Sequence, residues 1–190
     1  MPEEEQMQFQ YKVIFSRRKT LGLSISDGEL LVRAPWGTSK SEIDSLIREK
    51  ADWVERHLAE SQARKREADS AGHLTCAELE ALGKEAVKVI PERVKYYAPL
   101  IGVCPRGITI RNQKTRWGSC SAKGNLNFNC LLMLAPREVL DSVVVHELCH
   151  LKEMNHSERF YAEVYRVFPD YDRCDRWLKT EGKVLMARML

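Results

Sequence analysis

The sequence lacks the features of a membrane-spanning or secreted protein. No run of about 18 apolar residues occurs, so we expect no membrane span and no membrane partner. The first residues, MPEEEQMQFQ, are acidic and polar, unlike the basic and apolar start of a secretory signal. The six cysteines are scattered without Cys-x-x-Cys spacing. Reduced thiols in a cytoplasmic protein are therefore expected.

The sequence also carries little net charge. Its formal net charge of +3 over 190 residues is too small to imply a nucleic-acid partner by itself. The hydrophobic fraction of 44% is ordinary for a globular chain. The length suits one domain, or one domain with a small attachment.

Three of the five histidines, His146, His150 and His156, lie close together in the sequence. His146 and His150 are four residues apart, so on a helix both imidazoles project from the same face. Glu147 lies close enough to act on a water at a metal held by that face. Catalytic zinc takes three protein ligands and keeps one open position, and His156 is available as the third ligand. The pattern predicts a Zn²⁺ hydrolase, and most simply a metallopeptidase.

The residues around this motif favour a helix. Apolar residues recur at helical spacing through the segment: Leu140, Val144, Leu148 and Leu151. On a helix this stripe lies roughly opposite His146 and His150. The β-branched run at 143–145 lowers helix propensity. A strand, however, would place Glu147 on the opposite face from both histidines, so we predict a helix.

The motif is also compatible with two roles that involve no catalysis. The histidines can be ordinary, partly buried residues that match the pattern by coincidence. Alternatively, the zinc is structural, which usually requires four protein ligands and often cysteine. Cys149 lies inside the motif, but on a helix it points away from the face of His146 and His150. A catalytic site is therefore favoured over a structural one.

The chain is predicted to comprise a flexible tail at 1–8, an N-terminal β-hairpin and helix unit at 9–73, and a catalytic unit at 74–190. In the N-terminal unit, Asp27-Gly28 is a hairpin turn signal between two alternating segments. Ser39-x-x-Glu42 is a capping box that opens a helix. The polar stretch at 59–73 is either a solvated extension of that helix or a linker.

The catalytic unit begins at a second capping box, Thr75-x-x-Glu78. A helical pattern follows to about residue 98, and Pro91 is a candidate break. A short strand is expected at 108–111. A strand pair turning at Gly124 then precedes the metal helix. Further helices are expected from the N-cap Ser157 to Pro169, and around Trp177 and Leu178.

The second strand of that pair alternates apolar residues with three asparagines: Asn125, Asn127 and Asn129. Since sheet edges can add an extended peptide, these asparagines are candidate substrate contacts. Tyr161, Tyr165 and Tyr171 follow the third histidine and are candidates for stabilising the oxyanion, although packing roles are favoured for each. Of these, Tyr161 is kept as a candidate substrate contact.

The chain carries several specific motifs: Arg116–Ser121, Leu126–Asn129, Pro136, Val144–Leu151, Asn155–Ser157 and Phe160. A weaker N-terminal pattern includes Lys50 and Trp53. Together these motifs resemble those of the YgjP-like metallopeptidase family. The resemblance implies an α+β fold: a minimal zincin-like catalytic domain, with a small sheet packed on the metal-binding helix, preceded by a β-hairpin and helix. By the same resemblance, His146, His150 and His156 are zinc ligands and Glu147 is the catalytic base. The family is similar in its core to SprT-like and WSS-type proteases.

Three functions remain open on the sequence alone. The first is a zinc metallopeptidase acting on a peptide or protein substrate. The second is a DNA-associated protease of the SprT-like kind, acting on DNA-bound proteins, with phosphate contacts from Arg111, Lys114, Arg116 and Lys123 and a steep loss of DNA affinity with salt. The third is a non-catalytic, zinc-stabilised binding module in which Glu147 is dispensable. The small net charge disfavours a nucleic-acid partner, and nothing in the sequence specifies an oligomeric state.

Overall fold

A computed structural model gives the fold of the chain and describes residues 9–189. Within this range the protein is a mixed α+β structure with two small sheets and seven α-helices. The chain divides into two compact units, one ending at Ser70 and the other beginning at Ala71. The predicted tail at 1–8 lies outside the described residues. No helix in the described range is long and apolar enough to cross a membrane.

The first unit combines one three-stranded sheet with two helices. Its elements are β1 (Tyr11–Ser16), β2 (Gly22–Ser26), β3 (Glu29–Pro35), α1 (Lys40–Glu49) and α2 (Ala51–Ala71). The predicted hairpin is β2 and β3, joined by Asp27 and Gly28 with φ of 55° and 78°. Both central residues with positive φ are typical of a tight hairpin turn. β1, which pairs in parallel with β3, was not predicted from the sequence.

The core of this unit lies on one face of β3. Leu30, Val32 and Ala34 alternate along the strand and are fully buried, together with Ile43 and Ile47 of α1. The predicted capping box at the start of α1 is present. The stretch at 59–73 is helical as far as Ala71, but it extends α2 and not the helix that the capping box opens, since α1 ends at Glu49.

The second unit has a three-stranded sheet surrounded by helices. Its elements are α3 (Cys76–Ile101), β4 (Gly107–Arg111), β5 (Gly118–Cys120), β6 (Asn125–Asn129), a 3-10 helix (Cys130–Leu134), α4 (Arg137–Cys149), α5 (Glu158–Val167), α6 (Tyr171–Lys179) and α7 (Glu181–Ala187). The expected strand pair is β5 and β6, which are antiparallel. Helix α7 was not predicted from the sequence.

Helix α4 carries the histidine motif and lies in the main core of this unit. Its apolar residues pack with Leu126 and Phe128 of β6 and with Ile90 and Val94 of α3. Helix α3 runs without interruption past Pro91, so the candidate break there is wrong. Ile90 and Val94 are buried on either side of the proline, and this packing favours a continuous helix.

An ion pair ties α3 to α4. Arg93 donates to both carboxylate oxygens of Asp141, with Nε–Oδ1 of 2.7 Å and Nη2–Oδ2 of 2.8 Å. The side chain of Asp141 is only 8% exposed, and the hydroxyl of Tyr97 donates to it as well. The pair therefore holds a buried carboxylate on α4, the helix that carries the histidine motif.

Replacing Arg93 with methionine should lower the free energy of unfolding by about 3 kcal/mol, because a buried carboxylate loses its main partner. Denaturant unfolding measures the change. Arg137→Met is the matched control, since Arg137 is 53% exposed and lies 3.7 Å from the same carboxylate. Arg137→Met should lower the free energy of unfolding by less than about 1 kcal/mol. Equal losses in the two variants would contradict the proposed importance of the Arg93 pair.

Candidate metal centre

The three predicted histidines meet at one point. His146 and His150 lie at the end of α4, and His156 comes from the loop before α5. The Nε2 atom of His146 lies 3.1 Å from Nε2 of His150 and 3.1 Å from Nε2 of His156. The three rings thus present nitrogen atoms within 4.8 Å of one another, a group able to hold a metal ion.

The chemistry of this donor set fits a zinc ion. Tetrahedral zinc, with Zn–N distances of about 2.0–2.1 Å, places two ligand nitrogens roughly 3.3 Å apart, close to the observed separation. Burial, with smaller effects of His150 and His156, lowers the pKa of His146 to about 3, so this ring is neutral at neutral pH. Neutral imidazoles are the form that binds metal. Convergent nitrogen lone pairs repel one another unless a cation lies between them.

Hydrogen bonds to the Nδ1 atoms orient two of the three histidine rings. Nδ1 of His150 lies 3.0 Å from the carbonyl oxygen of Glu153, and Nδ1 of His146 lies 2.8 Å from the hydroxyl of Tyr171. A carbonyl can only accept, so Nδ1 of His150 carries the proton and leaves Nε2 free. Such partners fix the tautomer and the ring orientation of histidine ligands.

Phe160 forms a wall against the three histidines. It is fully buried, and its ring centroid lies 4.5 Å from that of His150 and 4.9 Å from those of His146 and His156. Contact with the histidines was not foreseen, although Phe160 follows His156 by four residues.

Glu147 directly follows His146 on α4 and is buried, and the two residues line the same pocket. It is 5% exposed, and its Oε2 atom has no hydrogen-bond partner among the described residues. Burial raises the pKa of its carboxyl to about 8, and the charge of Arg116 opposes that shift. A buried carboxyl with an unpaired oxygen and a shifted pKa is typical of a functional group.

Strand β5 passes directly against Glu147 at Gly118. A Cβ atom at position 118 would lie 2.6 Å from Oε1 and 2.7 Å from Cγ of Glu147. Only glycine allows this close approach. Gly118 is therefore part of the site, a role that the sequence alone did not indicate.

The expected substrate strand is the middle strand of its sheet. β6 is paired with β4 on one side and with β5 on the other. The prediction that an extended peptide pairs with this strand is wrong, because its main-chain groups are already hydrogen-bonded on both sides. Local alternation identified the strand correctly but carried no information about its neighbours.

Two of the three asparagines on β6 use their side chains within the protein. Asn129 is buried, and its Nδ2 donates to the carbonyls of Gln113 and Arg116 at 2.6 and 3.1 Å. Asn127 donates to Oγ of Ser119 at 3.2 Å. Asn125 is exposed at the start of the strand. None of the three lies in the histidine cluster, and Asn129 instead holds the loop that leads into β5.

The three candidate tyrosines differ sharply in their surroundings. Tyr165 is 40% exposed and its hydroxyl donates to Asp172. Tyr161 lies beside His156, with ring centroids 6.2 Å apart, and its role as a substrate contact stays a prediction. Tyr171 is buried, and its hydroxyl bonds to Nδ1 of His146, whereas Nε2 of the same ring meets the other two histidines. That location suits orientation of the ligand rather than stabilisation of an oxyanion.

The chain matches one known family along most of its length. A family model described as YgjP-like, metallopeptidase domain, matches residues 19–80 and 77–181. No curated protein matches the chain in sequence.

Two solved structures resemble half of the chain. The metallopeptidase zymogen abylysin of Pyrococcus abyssi is 24% identical, with a TM-score of 0.46, over 50% of this chain and 97% of that one. The metallopeptidase zymogen jannalysin of Methanocaldococcus jannaschii is 23% identical, with a TM-score of 0.44, over 49% and 96%.

Proposed function

Because the chain belongs to the YgjP-like metallopeptidase family, we propose that it hydrolyses peptide bonds with a zinc ion held by His146, His150 and His156. Family membership makes the protein a metal-dependent hydrolase of peptides or proteins. The observation that carries the finer proposal is the convergence of three Nε2 atoms beside the buried carboxyl of Glu147. Three neutral nitrogen ligands leave one zinc position open for chemistry.

Glu147 is the general base of the proposed reaction. When bound, zinc makes a water acidic and polarises the scissile carbonyl. Glu147 would accept a proton from the attacking water and donate it to the leaving amine. The unpaired Oε2 atom is free for this transfer. Burial raises the pKa of this carboxyl to about 8 without a metal, and a cation held by the three histidines would lower it and favour the carboxylate form that accepts a proton.

The edge of β5 is the proposed binding strand for the substrate. In the described part of the chain, β5 pairs with β6 alone, so its other edge has no strand partner. Gly118 on that strand touches Glu147, which puts the edge beside the proposed base. An extended peptide added there by main-chain hydrogen bonds has its backbone next to the reacting groups.

The proposal is tested by digestion of a peptide mixture with the zinc-loaded protein, with new termini identified by mass spectrometry. Cleavage should stop when a chelator removes the metal and return when zinc is added back. Unchanged cleavage without metal would refute a zinc mechanism. The absence of any cleavage by protein that carries one zinc per chain would favour a non-catalytic role.

Replacing Gly118 with alanine should lower turnover by about 100-fold and leave zinc binding intact. The new methyl group would overlap the side chain of Glu147 and displace its carboxylate, and misplacement by about 1 Å can cost this much. Steady-state kinetics with parallel metal analysis measures the effect. Gly83→Ala in α3 is the control, because a Cβ there meets nothing within 4 Å. Similar activity in the two variants would contradict the role of Gly118.

Replacing Tyr171 with phenylalanine should weaken zinc binding by about 10- to 100-fold, because His146 loses the partner of its Nδ1 atom. Competition with a chromophoric chelator gives the zinc affinity directly. Tyr165→Phe removes a hydroxyl that donates to Asp172, away from the histidines, and should leave the zinc affinity unchanged. Equal zinc affinity in the parent and in Tyr171→Phe would show that the hydroxyl does not support the ligand.

A further inference from the structure

A pocket of about 320 Å³ opens beside the metal centre, between α4, β5 and the C-terminal helices α6 and α7. His146, Glu147 and Gly118 form part of its wall, whereas His150 and His156 do not. The pocket therefore lies on the side of the centre where the proposed base meets the open edge of β5. A side chain of a peptide bound along that edge would point into it.

The remaining wall is largely apolar. Its apolar side chains come from three elements and the loop before β5: Trp117, Val143, Leu178 and Met186. Trp117 is held in place by α7, since a Cβ at Gly182 would lie 3.0 Å from the indole ring. The volume is large enough for a leucine or phenylalanine side chain, and burial of such a group against apolar walls is favourable.

Charges in the pocket lining disfavour a basic side chain. Lys179 and Lys183 both line the pocket. Lys179 is paired with Asp175 at 2.5 Å, so this carboxylate is already occupied. Lys183 is exposed and has no ion pair among residues 9–189. A lysine or arginine of the substrate would meet this cation without a free carboxylate to offset it, apart from Glu147 itself.

We propose that this pocket selects substrates with a large apolar residue beside the scissile bond and rejects those with a basic residue there. The inference rests on the proposed function of the metal centre, because it takes the edge of β5 as the binding strand. It adds the substrate class, which neither the histidine motif nor the family match supplies.

Hydroxamates that carry different tails test the pocket separately from the metal site. Isothermal titration of the zinc-loaded protein would use acetohydroxamate and three hydroxamates with isobutyl, benzyl or aminobutyl tails. The isobutyl and benzyl compounds should bind about 10- to 100-fold tighter than acetohydroxamate, as expected for burial of one large apolar side chain. The aminobutyl compound should bind no more tightly than acetohydroxamate.

Two variants test whether these differences in affinity arise in the pocket. Leu178→Trp narrows the pocket and should remove most of the affinity that the benzyl tail adds. The affinity for acetohydroxamate should stay the same. Lys183→Glu changes an exposed residue, so folding should be preserved. This variant should bind the aminobutyl compound several-fold more tightly than the parent does. Equal binding of every tail to the parent protein would overturn the inference, as would tighter binding of the aminobutyl compound.

The outcomes separate the pocket from the metal centre. If acetohydroxamate binds and the apolar tails add nothing, the substrate class is wrong while the zinc site stands. If acetohydroxamate itself does not bind to protein with one zinc per chain, the open coordination position is absent. In that case the proposed function fails, and the inference fails with it.

Discussion

Replacing His150 with alanine is expected to empty the metal site and to abolish hydrolysis. The ring supplies one of three converging Nε2 atoms, and its Nδ1 is held by the carbonyl of Glu153. A catalytic zinc site relies on three protein ligands, so the loss of one leaves a pair that holds the ion weakly. We expect the parent to carry about one zinc per chain and the variant to carry almost none after dialysis. Elemental analysis measures the zinc, and peptide cleavage falls to background.

A histidine outside the cluster provides the control for this experiment. His57 on α2 stacks on Trp53, with ring centroids 4.4 Å apart, and takes no part in the cluster. His57→Ala should keep both zinc and activity. Full zinc retention in each of His146→Ala, His150→Ala and His156→Ala would refute the ligand assignment.

Replacing Glu147 with glutamine should keep the zinc and the fold and lower turnover by about 10²- to 10⁴-fold. The amide has nearly the same shape as the carboxyl but cannot accept a proton. Glu147 is buried with an unpaired oxygen, so an uncharged group there carries a smaller desolvation cost than a carboxylate. The loss should therefore appear in kcat, with no fall in thermal stability.

The control for this variant is Glu138→Gln, an exposed residue in the first turn of the same helix. It should behave as the parent in zinc content and in turnover. A Glu147→Gln protein as active as the parent on any cleaved peptide would rule Glu147 out as the base. Full zinc occupancy with no activity in parent and variant alike would instead support a zinc-stabilised binding module.

Features formed by residues that are close together in the chain were predictable from the sequence. Both capping boxes, the Asp27-Gly28 hairpin and the helix at the histidine motif depend on residues within a few positions of one another. The spacing of His146 and His150 sets their common face in the same way. Local periodicity was sufficient for each of these because helix and hairpin geometry act over the same short range.

The parts that sequence reasoning missed depend on contacts between distant residues. Gly118 approaches Glu147, and Tyr171 bonds to His146, only because separate elements pack together. β1 was missed since it pairs in parallel with β3, and because β2 lies between these two strands in the sequence, no tight turn joins them. α7 has seven residues and no side-chain cap at its N-terminus, so it lacks the usual start signal.

The short length of β5 bears on self-association. An open strand edge that can receive a substrate can also receive another copy of the chain, and exposed edges of this kind promote aggregation. β5 contains only three residues, and the first is glycine, a poor strand former. Segments of about six residues are the usual unit of cross-β assembly. This edge therefore suits the proposed alignment of a peptide at Glu147 and is too short to template fibril growth.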